Sequence, residues 1–373
     1  MPLASQIIRD PNSFSALESE WLRVEEESDI SFFLSFRWLS LWWKHYSQTN
    51  DQLYIITIRS EEKQLLAIAP FYLQSQSILR FIGTGEDEHE EVATEYLDII
   101  CLKAHKASVL PIIAEELDNN LDKKVKFVFN NYLSGSNLAT LLKQIKGQYW
   151  INSTKCGLRY QVKLTTDQAN KDQLFSENLY KQIIRQERKF FNKLKGKIVK
   201  ATDLASFNIL FESLIALHQD RWQQRGKAGA FSSSKFQQFH ADFCHSLLIQ
   251  KKLQLWALAI NNDLISVTYA IDHKQTRYFY QIGIDTSYKP NISPGNLLHW
   301  QMIKDAENHR FCFYDFMKGG LVNSYKSRFA NETTYMFNTA LVRKSWLNAA
   351  SLIKWQLKKI RIIMPIERNS SSD

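Results

Sequence analysis

At 373 residues, 45% hydrophobic and 23% charged, the chain has the length for two full-sized cores and the composition of a folded protein, which excludes an intrinsically disordered one. A formal net charge of +9 attracts anionic partners without choosing among nucleic acid, an anionic lipid surface and a phosphate-bearing cofactor. Cys101, Cys156, Cys244 and Cys312 are far apart and form no Cys-x-x-Cys or Cys/His spacing, which argues against a disulfide framework or zinc site and for reduced, mostly buried thiols in a cytoplasmic protein; no metal site is expected.

The opening residues, MPLASQIIRDPNSF, have neither the basic nor the apolar part of a signal peptide, and no stretch approaches about 18 uninterrupted apolar residues, so no membrane span is expected. The chain to about Thr165 alternates short strands and helices. Trp38, Leu41, Trp42 and Tyr46 fall at helical spacing in Phe36–Tyr46, an aromatic stripe that reads as core. Strands are expected from Leu53 and from Gln64, joined by the polar turn Ser60–Lys63, then at Ile78–Ile82, Tyr96–Ile100 and Val125–Phe129, with helices over Ala107–Leu121 and up to Lys146. Two further strands are expected, near Tyr149–Ile151 and at Arg159–Leu164. The acidic run Glu86–Glu91 reads as a solvated loop. Residues 1–165 thus form one α/β domain, and polar 165–173 is the expected linker.

Residues 166–345 read as a second domain. It opens with a basic helix, in which Lys181, Arg185, Arg188, Lys189, Lys193 and Lys195 are punctuated by Ile183, Ile184, Phe190 and Leu194; a solvated or substrate-facing helix is the plain reading and nucleic-acid binding the sharper one. A strand at Lys197–Lys200, helices over Ser206–Gln224 and Phe236–Gln250, and a hairpin of Leu253–Ile260 with Leu264–Ile271 follow. Residues 346–373 make an amphipathic helix and tail, open to membrane-surface docking or to packing back on a domain.

The stretch Gln281–Lys326 reads as strand, loop, helix, strand and glycine turn, with Ser293-Pro294-Gly295 opening the helix. Backbone N–H groups at a helix start have no intrahelical partner and carry the positive end of the helix dipole, so this loop is a candidate site for a phosphate or pyrophosphate. The loop Arg225–Phe231 lacks the GxxxxGK[ST] spacing, which excludes a P-loop there.

In order along the chain, His218-x-x-Arg221-Trp222, Gly226-Lys227-x-Gly229-x-Phe231, Tyr280-x-x-Gly283-x-Asp285, Ser293-Pro294-Gly295 and Tyr314-Asp315-Phe316-x-x-Gly319 before Tyr325-Lys326 resemble the BioF2-like acetyltransferase domain, known as the CelD/BcsL family. That family is related to the FemAB peptidyltransferases and lies in the GNAT superfamily. Phe36-x-Trp38, Trp42-Trp43, Ala69-Pro70-Phe71, Phe81-x-Gly83 and Tyr96-Leu97-Asp98 extend the resemblance into the first domain. It implies an α/β (α+β) fold of two tandem GNAT-like domains, with mixed, mostly antiparallel sheets flanked by helices. It also implies acyl transfer from acetyl-CoA or another acyl-CoA to a sugar or amine acceptor in exopolysaccharide, cellulose or envelope synthesis. The expected setting is cytoplasmic, with peripheral contact to the inner membrane face or a polysaccharide synthase.

Acyl transfer needs a held donor, donors for the oxyanion and a group that takes the nucleophile's proton. The donor pyrophosphate is assigned to Lys289, Asn291, Ser293, Pro294, Gly295 and Asn296. His218 and Asp315 are the candidate bases, the imidazole being the better matched to neutral pH. Their structural readings are a ring near a helix end, and a buried carboxylate paired with Lys326, Arg328 or Arg221; Lys326 is also a catalytic candidate, since an Asp315–Lys326 pair would either shape the acceptor site or be plain architecture. Tyr325 and Tyr280 are candidates for oxyanion donor or general acid, and Arg221, Tyr280, Asp285 and Gly319 are placed on the substrate side. No GxSxG motif or Cys/His pair suggests a covalent intermediate. Two rival readings stand: FemAB-like transfer from aminoacyl-tRNA, for which the basic helix argues and the lack of a long helical hairpin arm argues against, and a non-catalytic GNAT-fold binding module.

Overall fold

The structure is a computed structural model, and it describes residues 3–164, 175–287, 292–322 and 324–345. The expected linker at 165–173, the candidate donor residues Lys289 and Asn291, and the expected C-terminal helix lie outside the described residues. In chain order the elements are β1 (Ala4–Ile8), α1 (Pro11–Ala16), α2 (Glu18–Glu27), α3 (Phe36–Tyr46), β2 (Gln52–Arg59), β3 (Leu65–Gln74), β4 (Ile78–Phe81), β5 (Ile100–Cys101), α4 (Lys106–Asn119), β6 (Lys126–Leu133), α5 (Asn137–Ile145) and β7 (Tyr149–Lys163). They continue with α6 (Glu177–Arg188), β8 (Lys197–Lys200), α7 (Leu204–Gln223), α8 (Ser234–Ile249), β9 (Leu253–Ile260), β10 (Asp263–His273), β11 (Thr276–Ile284), α9 (Pro294–Asn308), β12 (Phe313–Gly319) and β13 (Glu332–Arg343).

The chain divides into two compact units that are not consecutive in sequence. The first takes the described residues up to Gly85, Ala93–Cys156 and those from Tyr335 on; the second takes Glu86–Val92 and the described residues of Gly157–Thr334. In the first, strands are ordered β1-β2-β3-β4-β6-β13, and in the second β7-β12-β11-β10-β9-β8. The two orders are one topology used twice. Four antiparallel strands are followed by a helical crossover, α4 or α9, to a fifth strand lying parallel to the fourth, β4 with β6 and β11 with β12. A sixth, antiparallel strand then closes each sheet, and here the halves exchange: β13 pairs with β6, and the second half of β7 pairs with β12.

Local sequence accounts for most elements. β3 is buried along Leu65–Leu73, as a strand covered on both faces must be. Ser35, Ser136 and Asp203 cap α3, α5 and α7 by accepting from Trp38, Ala139 and Ser206 N–H. Three expectations change. Of the expected 96–100 strand only Ile100 is in the ladder, in the two-residue β5 with Cys101, because Asp98 turns aside to accept from Asn137 and Leu138 N–H at the start of α5. The two strands expected at 149–151 and 159–164 are a single 15-residue strand, β7. The acidic loop is not wholly solvated: Glu90 pairs with Lys235 at 2.8 Å. Of the cysteines, Cys101 and Cys244 are buried, whereas Cys156 is half-buried and Cys312 exposed. No described helix is long and apolar enough to cross a membrane.

Helices cover both faces of the second sheet. Phe279, Ile282, Leu297, Leu298, Trp300, Tyr314 and Phe316 share one core with Leu179 and Ile183, so α6 and α9 lie on this face. Tyr269 and Tyr280 point the other way, their rings against His240 of α8, and Phe231 links His240 to His218 of α7. Under α9, Arg277 is 1% exposed and holds Asp272 through Nε and Nη2, at 2.7 and 2.9 Å, and Asp305 through Nη1 at 2.8 Å. Burial pushes the Asp305 carboxyl up, but Arg277 and Lys200 outweigh it and hold the group below its ordinary range.

A depressed folded-state value stabilises the fold above the unfolded-state value, and that stability is lost as pH falls through the folded one. Asp305→Asn should therefore cost about 3 kcal/mol at pH 7 by leaving Arg277 under-compensated. The cost should shrink toward pH 3, as followed by urea unfolding across that range.

Candidate functional site

β11 and β12 run parallel but pair only at Thr276/Phe313, Arg277/Tyr314 and Tyr278/Asp315. Beyond that point each strand keeps its outer partner and leaves the other, so a wedge opens between Phe279–Ile284 and Phe316–Gly319. Both strands carry a bulge where they part. On β11, Gln281 pairs with Tyr269 and Phe279 with Ala270, so Tyr280 is the extra residue. On β12, Asp315 pairs with Gln161 and Lys318 with Arg159, an excess of one residue, and Met317 has φ +62°. Bulges bend a strand and re-aim its side chains, and they are frequent beside active sites.

Asp315 holds the β12 bulge. Its side chain is fully buried; Oδ1 accepts from Met317 N–H at 2.7 Å, and Oδ2 accepts from Arg159 Nε at 2.7 Å and from Gln161 Nε2 at 3.4 Å. Arg159 Nη2 is also 2.7 Å from Oδ2. The expected ion-pair partners, Lys326, Arg328 and Arg221, are thus replaced by Arg159 of β7. Lys326 Nζ instead donates to the carbonyls of Phe316 and Lys318, at 2.6 Å each, and ties the short 3-10 turn Tyr325–Arg328 to β12. Gly319 ends the strand opposite Leu158.

On the β11 side, Asp285 N–H donates to Ile265 O of the neighbouring β10 end. By strand alternation Gly283 also faces β10, and the N–H groups of Ile282 and Ile284 face the wedge. Gln281 Oε1 accepts from Ile282 N–H at 3.1 Å. The start of α9 sits on these isoleucines: a Cβ on Gly295 would lie 2.9 Å from Ile284 Cδ1, so glycine permits the approach. Pro294 occupies the first turn, the Ser293 side chain makes no cap, and Ser293 N–H donates to buried Gln186 of α6 at 2.9 Å. The N–H groups of Gly295 and Asn296 have no partner among the described residues, so they fit an anion such as a pyrophosphate. Asp285 turns onto Ser287, accepting from its N–H and Oγ.

On the opposite face α7 lies against Gly283, where a Cβ would come within 2.8 Å of Leu217 Cβ and 2.9 Å of Leu214 O. His218, 2% exposed, accepts from Trp222 Nε1 at Nε2 (2.8 Å) and donates from Nδ1 to Gln219 Oε1 (3.1 Å). Trp is a donor only, so Nε2 is unprotonated. Burial pushes the ring below its ordinary range, so the charged ring near a helix end gives way to a neutral one with both nitrogens engaged. The Tyr280 hydroxyl is likewise engaged, donating to Val92 O at 2.5 Å beside His240 Nε2 at 3.0 Å.

Two groups at the wedge are not engaged. Half-buried Arg221 makes no hydrogen bond or ion pair among the described residues, and burial and the neighbouring Arg225 push its guanidinium below the ordinary range. The Tyr325 ring is 47% exposed, yet burial of its hydroxyl end pushes that group up to about 12, with Arg221 acting on it in the opposite sense. This hydroxyl, too, has no partner among the described residues. No described group of three His, Cys, Asp or Glu side chains is placed to hold a metal ion.

The structure thus gathers Ser293, Pro294, Gly295 and Asn296 on one face of β11, and His218 and Arg221 on the other with Tyr325 at the opening. It turns Tyr280, Asp285 and Asp315 onto partners of their own. Sequence reasoning missed Arg159 and Gln186. α6 carries two glutamines, Gln182 and Gln186, and nothing in the sequence singles out the second.

Residues 178–327 match the family model described as an acetyltransferase (GNAT) domain. No curated protein matches the sequence. Among solved structures, FemX is similar at 8% identity, covering 95% of this chain and 99% of its own, with a TM-score of 0.60. A conserved protein of unknown function from Bacteroides thetaiotaomicron is similar at 14% identity over 91% of this chain and 100% of its own, with a TM-score of 0.52. L-PGS from Bacillus licheniformis is similar at 11% identity over 93% and 96%, with a TM-score of 0.51. At such identities the similarity is one of fold. The chain has a mixed α/β fold of GNAT type, and its second unit carries the stretch that matches the GNAT acetyltransferase domain.

Proposed function

We propose that the protein is an N- or O-acyltransferase that moves an acyl group directly from acyl-CoA to its acceptor. The observation that carries this reading is the wedge between parallel β11 and β12 with an uncapped helix start over one of its walls. The donor pyrophosphate lies on Gly295 and Asn296 N–H, assisted by Lys289 and Asn291, and the thioester carbonyl enters the wedge toward Ile284 N–H. Attack by the acceptor amine or hydroxyl forms the new bond, the C–S bond breaks, and the acceptor's proton leaves to water. Tyr325 donates a hydrogen bond to the departing sulfur; with its hydroxyl raised to about 12 it remains a donor at neutral pH. His218 and Asp315 act as positioning residues, the first by fixing α7 against Gly283 and the second by holding the β12 bulge.

The acceptor is a sugar nucleotide, lipid-linked sugar or other small amine of envelope or exopolysaccharide synthesis, in keeping with the BioF2-like, CelD/BcsL resemblance. The setting is cytoplasmic, with peripheral contact at the membrane face. Leu321 and Val322, 45% and 77% exposed on the loop after β12, suit such contact. A second reading, aminoacyl transfer from tRNA, is favoured by one feature: a groove of about 810 Å³ along α6, lined by Lys181, Arg185, Arg188, Lys189 and Lys193. Binding of tRNA that weakens steeply with salt would support it.

Acetyl-CoA should raise the apparent Tm by roughly 5 °C at a hundredfold excess over Kd, because a ligand of the native state stabilises by mass action. No shift at millimolar CoA or acyl-CoA would overturn the acyl-CoA reading and leave a binding module. Tyr325→Phe should lower kcat by about 10²-fold or more and leave the CoA shift in place, the loss expected for one transition-state donor. Tyr325 should contribute no alkaline loss of activity up to about pH 10. Asp315→Asn should destabilise by about 3 kcal/mol, since it leaves Arg159 without its counter-ion. Unchanged stability with abolished turnover would restore Asp315 as the base.

A further inference from the structure

His218 and Arg221 are three residues apart and share one face of α7, and Arg225 follows in the turn after the last residue of that helix, Gln223. A guanidinium withdrawn from water is ordinarily held by a carboxylate or by carbonyls. Arg221 has neither among the described residues, and the charged neighbour that acts on it is another cation, Arg225. Asp220, next to it in sequence, accepts from Gln224 at 2.8 Å, and Asp285, just past the end of β11, accepts from Ser287. Arg221 lies one turn beyond the His218 backbone that meets Gly283, at the open end of β11, within electrostatic reach of Tyr325. A half-buried guanidinium with no acceptor among the described residues, followed by a second arginine, makes a receptor for an anion.

The position says which anion. The helix start suited to the donor's pyrophosphate is on the Ile282/Ile284 face of β11, whereas α7 lies on the Gly283 face. We infer that the acyl acceptor carries a negatively charged group, a phosphate or a carboxylate, and that Arg221 receives it, with Arg225 adding positive charge; the Tyr325 hydroxyl stays with the departing sulfur. This rests on the acyl-CoA reading and narrows its acceptor to an anionic amine or alcohol. Arginine suits the task because its planar fork can donate two parallel hydrogen bonds to either group.

The test uses the full chain saturated with CoA and three amino sugars that differ in charge. They are glucosamine, glucosamine 6-phosphate and muramic acid, and their affinities are read by isothermal titration. One of the two charged sugars should bind at least about tenfold more tightly than glucosamine, and which one does identifies phosphate or carboxylate as the recognised group. Arg221→Gln should remove that advantage and leave the Kd for CoA within about twofold, and Arg221→Lys should restore it in part. The CoA-induced thermal shift confirms that each variant is folded, and its absence in the parent would fail the acyl-CoA reading rather than this one. Equal binding of all three sugars by a CoA-competent protein would overturn the proposal. So would an Arg221→Gln variant that loses affinity for CoA itself, since the anion would then belong to the donor.

Discussion

The second unit depends on a single buried carboxylate. Asp315 is the last residue of β12 to pair with β11, and its two oxygens do different things. Oδ1 accepts from Met317 N–H and so supports a non-glycine residue at φ +62°, a conformation that costs on the order of 1 kcal/mol without help. Oδ2 takes the Arg159 guanidinium, which neutralises the charge that burial would otherwise penalise. The bulge held in this way turns β12 from β11, and the wedge between them is the consequence. Asp315 was a natural choice for a base when only its chemistry was known; in the fold both its oxygens are engaged in holding the β12 bulge, and the wedge opens beside it.

The wedge is entered from both faces of the sheet, and the bulge at Tyr280 is what makes the faces differ. Without the extra residue, the alternation that buries Phe279 under α9 would put Ile282 on the α7 side. With it, Ile282 and Ile284 stay on the α9 side and Gly283 meets α7. The uncapped start of α9 and Arg221, which has no partner among the described residues, are thereby kept on opposite sides of one strand. In the proposed reading, two negatively charged ligands would approach a common point from opposite sides of that strand, which would limit their mutual repulsion. Tyr325, whose ring lies 6.4 Å from that of His299 of α9 while its hydroxyl feels Arg221, is the residue in touch with both sides.

How far the sequence could be read follows from the range of the interactions. Elements written in local periodicity and caps were legible: α3 from its aromatic stripe, the β2–β3 and β9–β10 hairpins from their turns, and α9 from Ser-Pro-Gly. The position of the α9 start was legible for the same reason, since it needs only the first turn of one helix. What failed was pairing at a distance. Arg159 and Asp315 are 156 residues apart and Gln186 and Ser293 are 107 apart, and nothing local singles out either partner. The neutrality of His218 and the lack of a counter-ion at Arg221 are properties of packing, so they are visible only when the neighbours are known.

The strand exchange explains why the Asp315 pairing could not be found by reading one half alone. Arg159 and Gln161 belong to β7, a strand that begins among the residues of the first unit and ends in the sheet of the second. A segment beginning at residue 166, or the stretch 178–327 that matches the acetyltransferase domain, omits both. In such a segment Asp315 would be buried without its cation and β12 would lose its outer neighbour, the combination that costs most in a protein interior. The second compact unit therefore begins before residue 166: it takes in 157–163, which carry the Arg159 and Gln161 partners of Asp315.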